Sequence, residues 1–251
     1  MEKITSRTNP RLAHIRRLAS SAAYRRDCGE FLCDSPKLLH EALLWGAEIL
    51  QVVYTAGTEL PQLGKNVSLI EVPEDIMAFI SPMKTPQGVL FTCRLLQTEL
   101  PEVLDGAHYM VLDGVQDPGN VGTIWRTADA FGCDGLVLLA GCADPYSPKT
   151  VRASMGAVFR CKVWNCTAQQ LTVTLRKSNL PLYGAALRED TQDARDVDYT
   201  RAVLAIGSEG RGLTEEVLSM CDKTIRIPMS PRCESLNAAI AATVLLWEAY
   251  R

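Results

Sequence analysis

Three short stretches of this 251-residue chain set polar and charged side chains beside glycine or proline, each directly after an apolar segment. The first, "DGVQDPGNVGTIWR", holds Asn120 and, six residues on, Arg126. The second, "IGSEGRGL", holds Glu209 among Gly207, Gly210 and Gly212, and the third, "IPMSPRCESLNAAIA", holds Ser235 and Asn237. A guanidinium, a carboxylate, a hydroxyl and two amides bind and orient a polar ligand, and glycines among them let backbone approach it closely. Asn120 precedes Val121, Ile124, Trp125, Ala128 and Phe131 at helical spacing, so it reads first as a helix N-cap. Arg126 falls two turns in, off that apolar stripe. Ser235 reads equally as the cap of a terminal helix.

These stretches need a scaffold that brings loop ends together. Strands fit at 110–112, 135–139, 182–187, 202–206 and 224–227, separated by helix-like stretches. Several, "VLLA" and "AVLAIG" among them, are apolar throughout, as strands of a parallel sheet covered on both faces are. In such sheets ligands bind beyond the carboxyl ends of the strands, where all three stretches fall. Upstream, "FLCD" reads as a strand, and Ser35 and Pro36 open a helix that carries Leu38, Leu39, Ala42 and Leu43 and closes at Gly46. A strand at 49–54, a helix at 74–80 and a strand at 88–93 complete a small α/β unit. The expected division is an N-terminal domain over 1–98, a linker over 99–107 around Pro101 and Gly106, and a second domain over 108–251.

Composition excludes several classes. Hydrophobic residues at 47% and charged residues at 22% are ordinary for a globular protein, and no apolar run is long enough to span a membrane. The N-terminal segment lacks the apolar core of a signal peptide, so the expected location is the cytoplasm. Nine cysteines form no C-x-x-C pair, and His14, His40 and His108 have no metal-ligand spacing, so neither a disulfide framework nor a bound metal is expected. The net charge of -3 does not advertise nucleic-acid binding. Yet Arg7, Arg11, Arg16, Arg17, Arg25 and Arg26 surround Leu12, Ile15 and Leu18 at helical spacing. That basic amphipathic helix reads either as a solvated face or as a surface that meets phosphate. The glycine order G-x-x-G-x-G, late in the chain, fits a dinucleotide-binding oxidoreductase poorly.

Taken together and in this order, "NVGTIWR", "GSEGRGL" and "IPM…ESLNAAIA" closely resemble the three motifs of the SpoU/TrmH-type RNA ribose methyltransferases. "GEFLCDSPKLLHEAL" and "TPQGVLFT" resemble that family's N-terminal substrate-binding domain, and "DPYSPKTVRASMGAVFR" resembles the stretch after its first motif. The resemblance implies a SPOUT-type α/β fold, a parallel sheet with a C-terminal trefoil knot, preceded by a small α/β substrate-binding domain. It implies a homodimer that uses S-adenosylmethionine to methylate a ribose 2′-hydroxyl in rRNA or tRNA. It further implies that Leu187, Gly207, Ile227 and Leu236 form the cofactor pocket and that Asn120, Arg126, Glu209, Ser235 and Asn237 form the active site.

The residue types suit that chemistry. A sulfonium methyl already has a good leaving group, so alignment of the 2′-oxygen and help with its proton are the main requirements. A free guanidinium, with a pKa above about 12, is a poor base, so Arg126 is expected to bind the adjacent phosphate and the developing alkoxide, with Asn120 and Glu209 orienting it. Asp34-Ser35 stands where the family commonly has an acidic residue and glycine, which alters a turn in the N-terminal domain. A non-catalytic RNA-binding relative is the alternative, though such a protein need not keep the whole set of active-site residue types.

Overall fold

The computed structural model describes residues 2–96, 99–233 and 235–251. Gln97 and Thr98, at the expected domain boundary, and Glu234 of the third stretch lie outside the described residues. In chain order the elements are β1 (Glu2–Lys3), α1 (Pro10–Ser20), α2 (Ala22–Cys28), β2 (Glu30–Asp34), α3 (Pro36–Leu44), β3 (Ile49–Thr55), β4 (Ser68–Val72), α4 (Glu74–Ile80) and β5 (Val89–Arg94). There follow β6 (His108–Asp113), α5 (Pro118–Ala130), β7 (Gly135–Leu138), α6 (Pro148–Ser154), β8 (Lys162–Asn165), α7 (Ala168–Ser178), β9 (Leu182–Ala185) and β10 (Gln192–Asp193). The chain ends with β11 (Ala202–Gly207), α8 (Glu215–Met220), β12 (Lys223–Arg226) and α9 (Ala238–Tyr250).

Two compact units result. The first comprises Met1–Leu96 with Asp144–Phe159, and the second Gln97–Ala143 with Arg160–Arg251. The sequence reading assigns 144–159 to the second domain, because it lies between that domain's strands. Its side chains account for its place in the first unit. Arg25, 4% exposed, donates to the Asp144 carboxylate and to the Leu18 carbonyl, and Arg152 donates to the buried Asp34 carboxylate at 3.0 Å. Phe31 packs its ring 4.9 Å from Tyr146 and 6.3 Å from Phe159. Stripping one partner from a buried pair such as Arg25–Asp144 costs about 3–5 kcal/mol, so the segment is firmly held.

The first unit has a mixed sheet in the order β1-β4-β3-β5-β2. The β1, β4 and β3 strands run parallel, and β5 pairs antiparallel with both β3 and β2. Leu12, Ile15 and Leu18 of α1 are buried in one cluster with Ile70, Val72, Ile76 and Met77, which confirms the amphipathic pattern. Asn9 caps α1 by accepting from Arg11 N–H at 2.9 Å.

The second unit has a seven-stranded sheet in the order β10-β12-β9-β11-β6-β7-β8, parallel at every pairing. Apolar strands meet the requirement of burial on both faces: Tyr109, Val111, Val137, Leu182, Val203 and Ala205 share one core cluster with Leu171 and Leu175 of α7, and Met110, Leu112, Leu136 and Leu204, which point to the opposite face, are buried as well. Strands β8 and β10 are absent from the sequence reading: β10 has only two residues, and β8, Lys162–Asn165, is flanked by exposed polar residues at both ends and shows neither an apolar run nor an alternation.

Ser35 is the point of backbone strain. It lies at φ 93° and ψ 144°, a region that glycine enters freely and side-chain-bearing residues rarely do. Its hydroxyl offsets part of the cost by accepting from Leu38 N–H at 3.3 Å. Replacing a serine N-cap by glycine loses only a few tenths of a kcal/mol, whereas strain of this kind costs about 1–3 kcal/mol. Ser35→Gly is therefore expected to stabilise the protein by about 1 kcal/mol and to raise the melting temperature by about 2–4 °C in calorimetry. A lowered melting temperature would contradict that assignment.

Candidate active site

The parallel sheet sets the site by aligning strand ends. Gly207 at the end of β11 pairs in register with Asp113 at the end of β6, so the loops that follow leave the same edge side by side. Likewise Ala185 of β9 pairs with Ile225 of β12, which brings the segments carrying Leu187 and Ile227 to that edge. Asp113, buried, fastens the arrangement by accepting from Thr214 N–H at 2.6 Å.

The glycine-rich loop is closed on itself. Ser208 N–H donates to the Gly212 carbonyl at 3.0 Å, and Gly212 N–H donates back to the Ser208 carbonyl at 2.9 Å. Gly212 sits at φ 68°, in the left-handed region. A Cβ on Gly207 would overlap the backbone of Gly212 and Leu213. The sequence reading gave that glycine the role of leaving room for a ligand; the structure shows that it leaves room first for the returning loop.

Asn120 does not cap α5. Asp117 does, with Pro118 at the first helical position, and Asn120 N–H donates to Asp117 Oδ1 at 3.0 Å from the first turn. An aspartate directly before proline is a helix-start signal, and it was legible in "QDPGN". The Asn120 side chain is therefore free for a longer-range task. Its Nδ2 donates to Glu209 Oε1, and its Oδ1 accepts from Asn237 Nδ2 at 3.2 Å. Asn237, in turn, caps α9: its Oδ1 accepts from Ala239 N–H at 2.9 Å and Ile240 N–H at 3.3 Å. One residue from each of the three stretches is thus joined in a single hydrogen-bonded chain.

A cavity of about 510 Å³ opens beside this chain. Leu187, Gly207, Ile227 and Leu236 all line it, as do Glu209 and Ser235. Arg126 stands elsewhere. It is exposed on α5, and no hydrogen bond or ion pair joins it to another side chain among the described residues. Six residues beyond Asn120, it lies roughly 9 Å further along the helix and on a different face. Within one chain, then, Asn120 and Glu209 hold each other and Asn237, and do not hold Arg126.

No thiol competes for a chemical role in this unit's interior. Burial pushes Cys133 and Cys161 up to about 12, and Cys142, Cys166 and Cys221 up to about 11, which keeps them protonated at neutral pH and poor as nucleophiles. Among the described residues, no group of three or more His, Cys, Asp or Glu side chains is placed to hold a metal ion, and no helix is long and apolar enough to cross a membrane.

Residues 107–247 match the model of the SpoU rRNA Methylase family. The chain belongs to that family. Residues 9–90 of this methylase match the MRM3-like substrate binding domain. The 23S rRNA (guanosine(2553)-2′-O)-methyltransferase of Bacillus subtilis is 28% identical, over 98% of this chain and 98% of its own length. Among solved structures, the AdoMet-bound rRNA methyltransferase of Sinorhizobium meliloti superposes with a TM-score of 0.88 at 32% identity, covering 98% of this chain and 96% of the other. The SpoU methyltransferase AviRb of Streptomyces viridochromogenes, in complex with AdoMet, gives 0.87 at 28% identity, covering 96% and 97%. The family read from the three motifs is borne out, as is the α/β class with a substrate-binding domain ahead of the methylase domain.

Proposed function

We propose that this protein is an enzyme that transfers a methyl group from S-adenosylmethionine to a ribose 2′-hydroxyl of ribosomal RNA. One observation carries the reading: the Glu209–Asn120–Asn237 hydrogen-bonded chain stands beside a cavity lined by Leu187, Gly207, Ile227 and Leu236 in a chain of the SpoU family. The relatives named above support it, since one is a 23S rRNA 2′-O-methyltransferase and two solved neighbours hold AdoMet.

The residues fit an adenosyl ligand. The cavity volume falls within the range of small-molecule sites, its walls include Leu187, Ile227, Leu236 and Ala238, and the closed loop around Gly207 brings backbone to its rim. When bound, S-adenosylmethionine supplies a methyl group on a positively charged sulfur that departs readily. The protein's task is then to hold the 2′-oxygen in line and to ease the loss of its proton.

Glu209 is held through Oε1 by Asn120, which leaves its second oxygen open to a ribose hydroxyl. Ser235, on the cavity wall, offers a hydroxyl to the ribose or to the cofactor's carboxylate. Arg126, an unpaired guanidinium, is suited to a phosphate beside the target nucleotide and to the alkoxide that develops on the 2′-oxygen. The same reading assigns 1–98 to RNA binding, 99–107 to a linker and 108–251 to catalysis, save that 144–159 folds with the first unit, with the C-terminal segment threaded as a trefoil knot, and it places the enzyme in the cytoplasm.

The proposed assembly is a homodimer through α5 and α9. The α9 helix leaves Ile240, Val244, Trp247 and Tyr250 exposed at spacings of four, three and three, an apolar stripe that a solvated helix has no use for. The helix packs along α5, where Thr127 and Thr243 hydroxyls lie 3.4 Å apart and Phe131 meets two rings of the stripe itself, Trp247 and Tyr250. A two-fold contact covers the stripe with its own copy. Light scattering at micromolar concentration is expected to give twice the mass of the chain, and a monomer would remove this part of the proposal.

Arg126→Ala is expected to leave folding and S-adenosylmethionine binding intact while slowing methyl transfer by about a hundredfold or more, the usual scale for one lost charge-stabilising group. Arg126→Lys is expected to restore little, because a point charge cannot reproduce the planar fork. Near-normal transfer by Arg126→Ala would assign the arginine to structure alone. The absence of any missing ribose methylation in RNA from cells lacking the protein would favour the non-catalytic RNA-binding alternative.

A further inference from the structure

The six arginines near the N-terminus look alike in the sequence, and the fold sorts them. Arg25 is buried and committed to Asp144. Arg7 is paired with Asp75 at 3.1 Å, and Arg11 with Glu2 at 3.2 Å. Arg16, Arg17 and Arg26 are exposed and have no carboxylate partner among the described residues. In a chain whose net charge is -3, acidic groups are plentiful, so guanidinium groups left without one are notable.

Two of the three also have fixed positions. The Arg16 guanidinium carbon sits 4.3 Å from the centre of the Phe79 ring, and that of Arg17 sits 3.8 Å from the centre of the Tyr24 ring. Stacking of this kind holds the flat guanidinium in place without consuming its hydrogen-bond donors. Between α1 and α4 lies a cleft of about 480 Å³, lined by Ala13, Arg16, Arg17, Ser20, Phe79 and Ser81 among others, with no carboxylate among its lining residues. Small side chains, two serine hydroxyls and two oriented cations make up most of its lining.

We propose that this cleft holds the sugar–phosphate backbone of the RNA substrate, with the Arg16 and Arg17 forks on phosphate oxygens. The inference rests on the RNA-methyltransferase reading and deepens it by naming where the first unit grips RNA. Guanidinium forks match phosphate oxygens two at a time, and the half-buried Phe79 ring, with the Arg7 and Arg16 guanidinium carbons 5.2 and 4.3 Å from its centre, holds the Arg16 fork in position. The site binds substrate and takes no part in the chemical step. Its loss therefore acts on KM and leaves kcat unchanged.

The test uses the full-length protein and fragments of bacterial 23S rRNA, with fluorescence anisotropy as the readout across a salt series. The Arg16→Gln/Arg17→Gln double variant is expected to bind at least tenfold more weakly at about 0.1 M salt, and its slope of log affinity against log salt is expected to shrink by roughly 1 to 2, since each phosphate contact contributes about 0.7 to 0.9. Phe79→Leu is expected to weaken binding by less than the double variant does, with the slope nearly unchanged, because it loosens the Arg16 fork and removes no charge. In methyl transfer, the double variant is expected to raise KM and to keep kcat. Unchanged affinity and slope in the double variant would overturn the cleft even if the unaltered protein methylates RNA normally. Conversely, an unaltered protein that binds RNA through these arginines and transfers no methyl group would sustain the cleft and overturn the enzymatic reading.

Discussion

A single amide side chain ties the site together. Asn120 donates to Glu209 and accepts from Asn237, and the direction of each bond follows from the next. Because Asn237 Oδ1 is occupied by the first amides of α9, only its Nδ2 can face Asn120. Asn120 must then present Oδ1 to it and turn Nδ2 toward Glu209, which can only accept. The end of one helix thereby fixes the position of a carboxylate on a loop far away in sequence. Aspartate at either asparagine position would place an acceptor where a donor is needed and would break the chain at that bond.

The chain of amides is possible only because the strands end together. The register of Gly207 with Asp113 puts the second stretch beside the first, and the Asp113 bond to Thr214 holds the glycine-rich loop while it turns back. Gly207 has no room for a side chain because the returning backbone at Gly212 and Leu213 occupies that space. Cofactor-pocket candidates and catalytic candidates thus depend on one another through the backbone of a single loop. Arg126 alone among the nine candidates stands apart, exposed on α5 and joined to none of the others.

Much of this was legible because it rests on local rules. Apolar strands such as β7 and β11 announced a covered parallel sheet, and α4 began and ended where its apolar spacing and Pro73 indicate. What escaped depends on partners distant in sequence. Asn120 looked like a cap because asparagine before an apolar run commonly is one; the proline-preceding Asp117 took that role and released it. Nothing local in "NVGTIWR" reveals that its asparagine meets residues 89 and 117 positions away. The membership of 144–159 in the first unit was hidden for the same reason, since Arg25 and Asp144 are separated by 119 residues. Six similar arginines could not be ranked until burial, pairing and stacking told them apart.

The dependence of Glu209 on Asn120 is most directly tested by a double-mutant cycle on the rate of single-turnover methyl transfer at saturating RNA and S-adenosylmethionine. The variants are Asn120→Ala, Glu209→Ala and both together, each checked for folding by its melting curve. If Asn120 acts by holding Glu209, the double variant transfers no more slowly than the slower single variant, and the coupling is large compared with the roughly 0.5 kcal/mol within which independent sites add. Losses that simply add would show that the two side chains act separately and would contradict the account.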